Sequence, residues 1–261
     1  MNSDFSGKRV VVTGACGVIG QWIVEALHSA GAHLCLTDAR TAELDALSAR
    51  LSLSEQSFVH TCDLTDARSI QGLVDAVANN WGAPDVVVNN AGIYPSGFLL
   101  DIDVADWDQI FDINLRAPFA ITRGMALLMI KEQVRGNIVN ISSGAARKMR
   151  RTVVPYCVSK TALDRLTKGF SLELAEYGIR VNALEPGFAA GSAVSKLTDD
   201  HINTVTNTIP LGRASSAKDV TEALFYLAGD TAGYVTGATL TVDGGNSAGV
   251  MTVFQDKRSA L

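Results

Sequence analysis

The feature that most constrains the fold is an alternation of short apolar runs with amphipathic segments along nearly the whole chain. Short apolar runs bounded by turn residues indicate buried strands, and apolar residues at three- and four-residue spacing indicate helices. The pattern predicts strands at 8–13, 34–37, 58–62, 85–89, 137–141, 179–184 and 238–242. Helices are predicted between them, at 18–30, 42–51, 70–81, 106–133, 154–177 and 217–227.

This alternation predicts the fold class. Strands separated by helices build a parallel sheet that is covered by helices on both faces. We therefore expect an α/β protein with a doubly wound, Rossmann-type sheet of seven parallel strands. No linker, repeat or low-complexity tract interrupts the pattern, so residues 1–261 are expected to form a single domain. The small, polar segment 188–210 is weakly patterned, and such an insertion is typical of a substrate loop.

Composition excludes several classes of protein. Hydrophobic residues make up 47% of the 261 residues, and the net charge is −5, which together exclude a disordered chain. An acidic chain is a poor general partner for nucleic acid or an anionic membrane. The longest clean apolar run, 125–130, is far shorter than the roughly 20 residues that span a bilayer. We therefore expect neither a nucleic-acid partner nor a membrane.

The cysteines indicate the compartment and argue against a metal. Cys16, Cys35, Cys62 and Cys157 are widely separated and form no C-x-x-C or Cys/His cluster. Such spacing favours neither a zinc site nor a redox motif. The first residues also lack the pattern of a secretory leader. The expectation is a reduced, cytoplasmic protein without a metal.

A glycine-rich turn follows the first predicted strand, with Gly14, Gly17 and Gly20 leading into a helix. Glycines here let a pyrophosphate approach the backbone at the helix N-terminus, which favours negative charge. Asp38 lies 18 residues after Gly20, near the spacing at which a carboxylate binds the adenosine ribose hydroxyls. A carboxylate repels a 2′-phosphate, so NAD is expected rather than NADP. Arg40 is the base that keeps NADP as an alternative.

Tyr156 and Lys160 form a candidate reactive pair. They open a predicted helix, and positions i and i+4 share one helix face. A nearby ammonium group lowers the pKa of a phenol, which predicts that Tyr156 acts as a general acid/base. Ser143 lies 13 residues earlier, directly after the fifth predicted strand. Ligands gather at the carboxyl ends of parallel strands, so these side chains and the glycine turn should meet in one crevice.

In combination, these residues resemble the single-domain branch of the short-chain dehydrogenase/reductase family. The resemblance extends from Lys8 to Gly245. Its ordered motifs are the glycine turn, Asp63 in Cys62-Asp63-Leu64, Asn89-Asn90-Ala91-Gly92, Asn114 in Asp112-Ile113-Asn114, Ser143, Tyr156 with Lys160, Pro186-Gly187 and Asp243-Gly244-Gly245.

The resemblance implies a role for each matching residue. Tyr156 would exchange the hydroxyl proton, Ser143 would bind the substrate oxygen, and Lys160 would hold the nicotinamide ribose. Asn114 would position a water molecule next to Lys160 and complete the catalytic set. The cofactor contacts implied, together with those expected from the motifs, are Gly14, Cys16, Gly17, Val18, Ile19, Gly20, Asp38, Asp63, Leu64, Asn90, Ala91, Gly92, Tyr156, Lys160, Pro186 and Gly187.

The expected function is that of an NAD-dependent oxidoreductase that interconverts a secondary alcohol and its ketone. Two alternatives stay open at this point: an NADPH-dependent ketone or 3-oxoacyl reductase, and a non-catalytic nucleotide-binding regulator, because fold alone does not fix function. The expected partner is a small-molecule substrate. The family resemblance also implies a homotetramer.

Two features have no single interpretation from the sequence. Arg147, Lys148, Arg150 and Arg151 crowd the loop between Ser143 and Tyr156, where they either attract an anionic substrate or form a solvated rim. If they attract an anionic substrate, replacing Arg147 and Arg151 with alanine should raise the KM for that substrate. Glu185, just before Pro186, either contacts a polar substrate or ends a strand in solvent.

Overall fold

A computed structural model of the protein describes residues 5–190 and 198–251. Its strands are β1 Arg9–Thr13, β2 His33–Asp38, β3 Phe58–Thr61, β4 Val86–Asn89, β5 Asn137–Ile141, β6 Arg180–Pro186 and β7 Thr239–Val242. All neighbouring strands pair in parallel, in the order β3-β2-β1-β4-β5-β6-β7. The predicted seven-stranded, doubly wound sheet is confirmed.

The helices are α1 Val18–Ser29, α2 Thr41–Leu51, α3 Ala67–Trp81, α4 Val104–Phe111, α5 Ala117–Lys131, α6 Val154–Leu174, α7 Asp199–Thr206 and α8 Ala217–Ala228. Local capping sets some of their ends. The Asp66 carboxylate accepts the Arg68 N–H, so α3 begins before the predicted residue 70. Ser216 and Asp219 form a reciprocal capping box at the start of α8.

Alternating side chains of the strands build two apolar layers. Val10 and Val12 of β1 lie in the layer that includes α1 and α8, and Val11 lies in the layer that includes α3 and α5. All three valines are fully buried. A sheet with both faces covered explains why its strands are almost continuously apolar.

The structure corrects the long predicted helix at 106–133. A turn of π-helix at Asp112–Arg116 separates α4 from α5. The π-turn adds a residue to the helical repeat and is often found at functional sites. Here it contains the fully buried Asn114. Apolar spacing predicts helix but does not reveal one extra residue in a turn.

The predicted substrate loop at 188–210 contains a helix. α7 occupies Asp199–Thr206, where weak patterning predicted no regular element. Residues 191–197 of this loop lie outside the described part of the chain. So do residues 252–261 of the segment that follows β7.

The helical run Val104–Lys131 is long and apolar enough to span a membrane by length and composition alone. Its buried side chains include Ile121, Met125 and Met129, which pack in the core against the sheet. These contacts are those of a core helix in a globular fold.

We predict that Leu73→Ala lowers the free energy of unfolding by about 2–5 kcal/mol, because it opens a cavity under the sheet. Leu73 is fully buried in α3. The control is Leu100→Ala, since Leu100 is 99% exposed, and it should change stability by less than about 0.5 kcal/mol. Chemical denaturation measures both values. Equal losses in the two variants would contradict the assigned layers.

Candidate active site

A cavity of about 470 Å³ opens at the carboxyl ends of the central strands. It extends from the glycine turn and Asp38 to Tyr156 and Lys160. Of the predicted cofactor residues it is lined by Gly14, Gly17, Val18, Ile19, Gly20, Asp38, Asp63, Leu64, Asn90, Ala91, Gly92, Tyr156 and Lys160. The cavity therefore joins both ends of the predicted site in one space.

The glycine turn is held by the loop that follows β4. Gly14 has φ +63°, and a Cβ there would lie 2.7 Å from the Cα of Ala91. The Asn90 side-chain amide donates to the carbonyls of Thr13 and Gly14, at 2.9 and 3.0 Å. The Thr13 hydroxyl accepts the N–H groups of Asn90 and Ala91. Asn90 thus fixes the shape of the turn.

The start of α1 fits a phosphate. Its N-cap residue is Gly17, which has no side chain that could accept the first N–H groups of the helix. The first N–H groups of a helix lack intrahelical partners and attract anions. Gly20 has no room for a Cβ beside the Gly14 carbonyl. Together with the length of the cavity, this open backbone fits a dinucleotide.

Asp38 ends β2 at the edge of the cavity, with its side chain 8% exposed. Its carboxylate accepts the Cys16 N–H at 3.0 Å and two guanidinium bonds from Arg40, at 3.0 and 3.2 Å. Burial raises the pKa of Asp38, but the hydrogen bonds outweigh burial and hold that pKa below its usual range. Arg40 also donates to Glu43 at 2.7 Å. In this arrangement Arg40 is shared between two acids.

Two further predicted cofactor residues have restricted side chains. The Cys16 thiol is buried, and burial together with Asp38 raises its pKa to about 11, so it is unreactive at neutral pH. Asp63 is exposed, and its Oδ1 accepts both the N–H and the hydroxyl of Thr65. These bonds lower the pKa of Asp63. Asp63 is therefore a fixed negative charge on the cavity wall.

Tyr156 lines the cavity, and Ser143 lies close to it on the loop after β5. The Tyr94 ring packs edge-on against Tyr156 at 5.8 Å between centroids. Burial raises the pKa of Tyr156, and the nearby Ser143 hydroxyl offsets only part of this rise. The expected lowering of this pKa by Lys160 stays a prediction. The Lys160 ammonium lies 5.8 Å from the centre of the Tyr156 ring and donates to the Ile141 carbonyl at 2.8 Å.

Lys160 and Asn114 lie on either side of Gly92. A Cβ on Gly92 would lie 3.4 Å from both Lys160 Nζ and Asn114 Oδ1. Lys160 is 4% exposed, and burial lowers its pKa to about 8. The Asn114 amide bonds both backbone groups of Ile93, at 2.9 and 2.8 Å, and donates to the Ser159 hydroxyl. The π-turn thereby fixes the loop above the reactive pair.

Pro186 and Gly187 do not line this cavity. They continue β6 beside β7, and the Gly187 N–H donates to the Val242 carbonyl at 2.8 Å. A Cβ on Gly187 would lie 2.7 Å from the Cα of Asp243. Their position is therefore set by close packing between β6 and the turn after β7.

The basic loop is mostly engaged within the protein. Arg147 donates to Glu185 at 2.6 Å, Lys148 donates to Asn246, and the Arg151 guanidinium lies 5.0 Å above the Phe98 ring. The Arg150 carbonyl accepts the Val153 N–H, and the charge of the Arg150 guanidinium lowers the pKa of Tyr156. The expectation that Arg147 and Arg151 bind an anionic substrate stays a prediction.

Glu185 does not end its strand in solvent. It is fully buried, and its Oε2 accepts bonds from Arg147 and Thr241. The sequence left two interpretations, a strand end in solvent and a contact with a polar substrate. Burial of Glu185 between β6 and β7 excludes the strand end in solvent. A charged residue inside an apolar strand was the signal that it is paired.

Comparison with known proteins identifies the family. A family model described as enoyl-(acyl carrier protein) reductase matches residues 14–247. The 3-oxoacyl-[acyl-carrier-protein] reductase of Haemophilus influenzae is 35% identical over 239 residues, which are 92% of this chain and 98% of that protein. The chain belongs to the short-chain dehydrogenase/reductase family. It is accordingly an NAD(P)-dependent oxidoreductase that acts on CH–OH or keto groups.

Solved structures of the family agree with this fold. A short-chain type dehydrogenase/reductase from Mycobacterium marinum has a TM-score of 0.86 and 29% identity, and covers 94% of this chain and 97% of its own. A gluconate 5-dehydrogenase from Burkholderia cenocepacia, solved in complex with NADP and tartrate, has a TM-score of 0.87 and 28% identity. It covers 96% of this chain and 100% of its own.

We predict that Gly14→Ala lowers the free energy of unfolding by about 1–3 kcal/mol and weakens nucleotide binding, because the methyl group strains the turn and meets Ala91. The matched control is Gly169→Ala on the exposed side of α6, where nothing lies within 4 Å of the new Cβ. That change should stabilise the helix by about 0.5–1 kcal/mol. Denaturation and nucleotide titration test both variants, and unchanged binding in Gly14→Ala would contradict the role of the turn.

Proposed function

We propose that the chain reduces the keto group of a 3-oxoacyl substrate to a hydroxyl group. The observation that carries the chemistry is that Tyr156 and Lys160 line the cavity together, with Ser143 close to Tyr156. The choice of a 3-oxoacyl substrate is supported by the relatives, which include 3-oxoacyl-[acyl-carrier-protein] reductases at 33–35% identity over 92–93% of the chain. They favour this alternative over the secondary-alcohol dehydrogenase that the sequence placed first.

The side chains around the cavity are suited to reduction. A nicotinamide cofactor supplies the hydride when it is bound. Because the pKa of Tyr156 lies above its usual value, the phenol carries its proton at neutral pH and can donate it to the substrate oxygen. Ser143 donates a second hydrogen bond to that oxygen and stabilises the charge that develops there. Lys160 adds positive charge next to the same place while its ammonium remains protonated.

The entrance fits a substrate with an apolar chain and an anionic carrier. Tyr94, Phe98 and Met149 are 43–63% exposed on two loops that contact each other. The contact runs through the Gly97 N–H, which donates to the Thr152 carbonyl at 2.8 Å. Exposed apolar side chains in one place mark a binding surface. The charge of Arg150, on the same loop as Met149, reaches Tyr156 and is placed to attract an anionic carrier.

A second candidate is a dehydrogenase of a hydroxy acid. It is supported by the gluconate 5-dehydrogenase of similar fold, which was solved with tartrate. The same catalytic side chains serve this reaction in the opposite direction. The non-catalytic alternative has less support, because Asn114, Ser143, Tyr156 and Lys160 are all present around one crevice.

The cofactor is NAD or NADP, and the comparisons do not support the predicted preference for NAD, since a related structure holds NADP. The local support for NADH is the Asp38 carboxylate, which faces the cavity and engages Arg40. A 2′-phosphate requires Arg40 to leave Asp38. We propose NADH on this ground.

We propose the following organisation and setting for the protein. The residues 1–261 act as one domain with a substrate loop at about 188–210. A homotetramer fits the exposed apolar side chains of α5 and α6, which include Phe119, Leu127 and Leu172. The four free, buried cysteines fit a reducing, cytoplasmic setting. The proposed partner is a small molecule, with neither nucleic acid nor membrane.

We predict that Tyr156→Phe lowers kcat for the reduction of acetoacetyl-coenzyme A by about 10²–10⁴-fold, because the proton donor is lost. Nucleotide affinity should stay unchanged. The matched control is Tyr177→Phe, since Tyr177 is 44% exposed at the end of α6, and it should keep full activity. Steady-state kinetics and calorimetry measure both. If the unaltered protein turns over gluconate but not acetoacetyl-coenzyme A, the hydroxy-acid dehydrogenase is favoured.

We predict that the protein binds NADH more tightly than NADPH, and that Asp38→Ala reverses this order by removing the negative charge and freeing Arg40. The charge contrast should change the ratio of the two dissociation constants by at least about tenfold. Asp75→Ala on the exposed surface of α3 is the control and should leave the ratio unchanged. Tighter NADPH binding by the unaltered protein would show that Arg40 leaves Asp38 for the phosphate.

A further inference from the structure

Two acids, the buried Glu185 and the half-buried Asp164, lie behind the loop after β5 that carries Ser143, here called the catalytic loop, and take no part in the chemistry above. Glu185 in β6 is fully buried, and its Oε2 accepts bonds from Arg147 at 2.6 Å and Thr241 at 2.5 Å. Its other oxygen, Oε1, is buried and receives no hydrogen bond from the described residues. The same is true of Oδ1 of Asp164 in α6.

The two carboxyl groups lie near each other, and the charge of Glu185 raises the pKa of Asp164. Two ionised carboxylates in such contact repel, and each buried oxygen without a donor carries a desolvation cost. A single proton between them removes the repulsion and gives a partner to both groups. We propose that Asp164 and Glu185 share one proton and that this protonated pair positions Ser143 for catalysis.

The path from the pair to Ser143 is short. The buried hydroxyl group of Ser142, like the two carboxyl oxygens, has no hydrogen-bond partner among the described residues, and it lies near enough to Asp164 to lower its pKa. The Ser142 N–H donates to the carbonyl of Leu184, the residue before Glu185, at 2.8 Å. Ser142 directly precedes Ser143 in the chain. A second negative charge on the pair would therefore change the electrostatic potential at the backbone that carries Ser143. The positioning half of the proposal rests on the proposed role of Ser143.

The charges around the pair come from every neighbouring element. Arg147 faces Glu185 from the loop after β5, and Lys160 lies one helical turn before Asp164 on α6. Asp243, after β7, faces Arg147 and is itself bonded by the N–H groups of Gly245 and Ser247.

Exposed Lys148 faces Asp243 on the outer side of this group. Burial, with Glu185 adding to it, raises the pKa of Asp164 to about 6 against the opposing effects of Ser142 and Arg147. An acid whose pKa rises on folding loses its proton as the pH rises through that value, and the folded state is less stable above it. The pair is therefore protonated at mildly acidic pH.

Infrared difference spectroscopy of the unaltered, cofactor-free protein tests the shared proton without any assay of turnover. A carbonyl stretch from a protonated carboxyl group should appear at about pH 5 and disappear by about pH 8. Asp164→Asn and Glu185→Gln should each abolish it, because the new amide donates to the remaining carboxylate. Asp75→Asn on exposed α3 should keep it. The shared proton is ruled out if the band is absent, or if it persists in both variants.

The pH dependence of kcat tests the positioning role. For the unaltered enzyme, kcat should fall several-fold as the pH rises through about 6 to 8, while nucleotide affinity stays constant. Asp164→Asn should remove this fall and retain activity, because its N–H permanently replaces the shared proton. Asp164→Ala should lose kcat at every pH without a matching rise in KM. A fall that persists in both Asp164→Asn and Glu185→Gln would overturn the positioning role.

The two experiments separate the possible failures. A titrating band in a protein that reduces no 3-oxoacyl substrate would leave the shared proton in place and reject the proposed function. Reduction of a 3-oxoacyl substrate by a protein that shows no titrating band would support the proposed function and reject the shared proton.

Discussion

The parallel pairing of β1 with β4 is the constraint on which the site depends. Val10–Val12 pair with Val86–Val88, and from this seam β2 and β3 extend to one side while β5, β6 and β7 extend to the other. The connections that follow β1 and β4 therefore diverge and leave a crevice above the seam. Asn90 and Thr13 close its base by bonding the two loops together. The glycine turn, the catalytic loop and the start of α6 all face this one opening.

Burial then sets the chemistry of the side chains around the crevice. Removal from water disfavours whichever form of a group is charged, so the same environment raises the pKa of Tyr156 and lowers that of Lys160. It leaves the phenol protonated at neutral pH and lowers the pKa of the Lys160 ammonium to about 8. The same effect acts behind the catalytic loop on Asp164, whose pKa rises to about 6 beside Glu185. One physical cause thus keeps the Tyr156 phenol protonated in the crevice and raises the pKa of Asp164 behind it.

The fold could be predicted closely because strand and helix periods are local properties of the chain. β5 matches its predicted bounds at 137–141, and most other elements shift by a few residues at their caps. The π-turn around Asn114 was missed because one added residue barely alters apolar spacing. α7 was missed because its sequence, beginning with two aspartates, is largely polar. The ion pair between Arg147 and Glu185 was missed for a different reason. The two residues lie 38 residues apart in the sequence and meet only through the sheet.

The sequence by itself determined the alternation of elements, the glycine turn and the identity of Ser143, Tyr156 and Lys160, because short-range spacing encodes all of these. Only the tertiary structure decided the state of each charge. Arg40 is held by Asp38, and Arg147 is held by Glu185. It also decided that the Lys160 ammonium donates to the Ile141 carbonyl. Protonation and pairing depend on burial and on contacts between distant strands, and neither is written in local sequence.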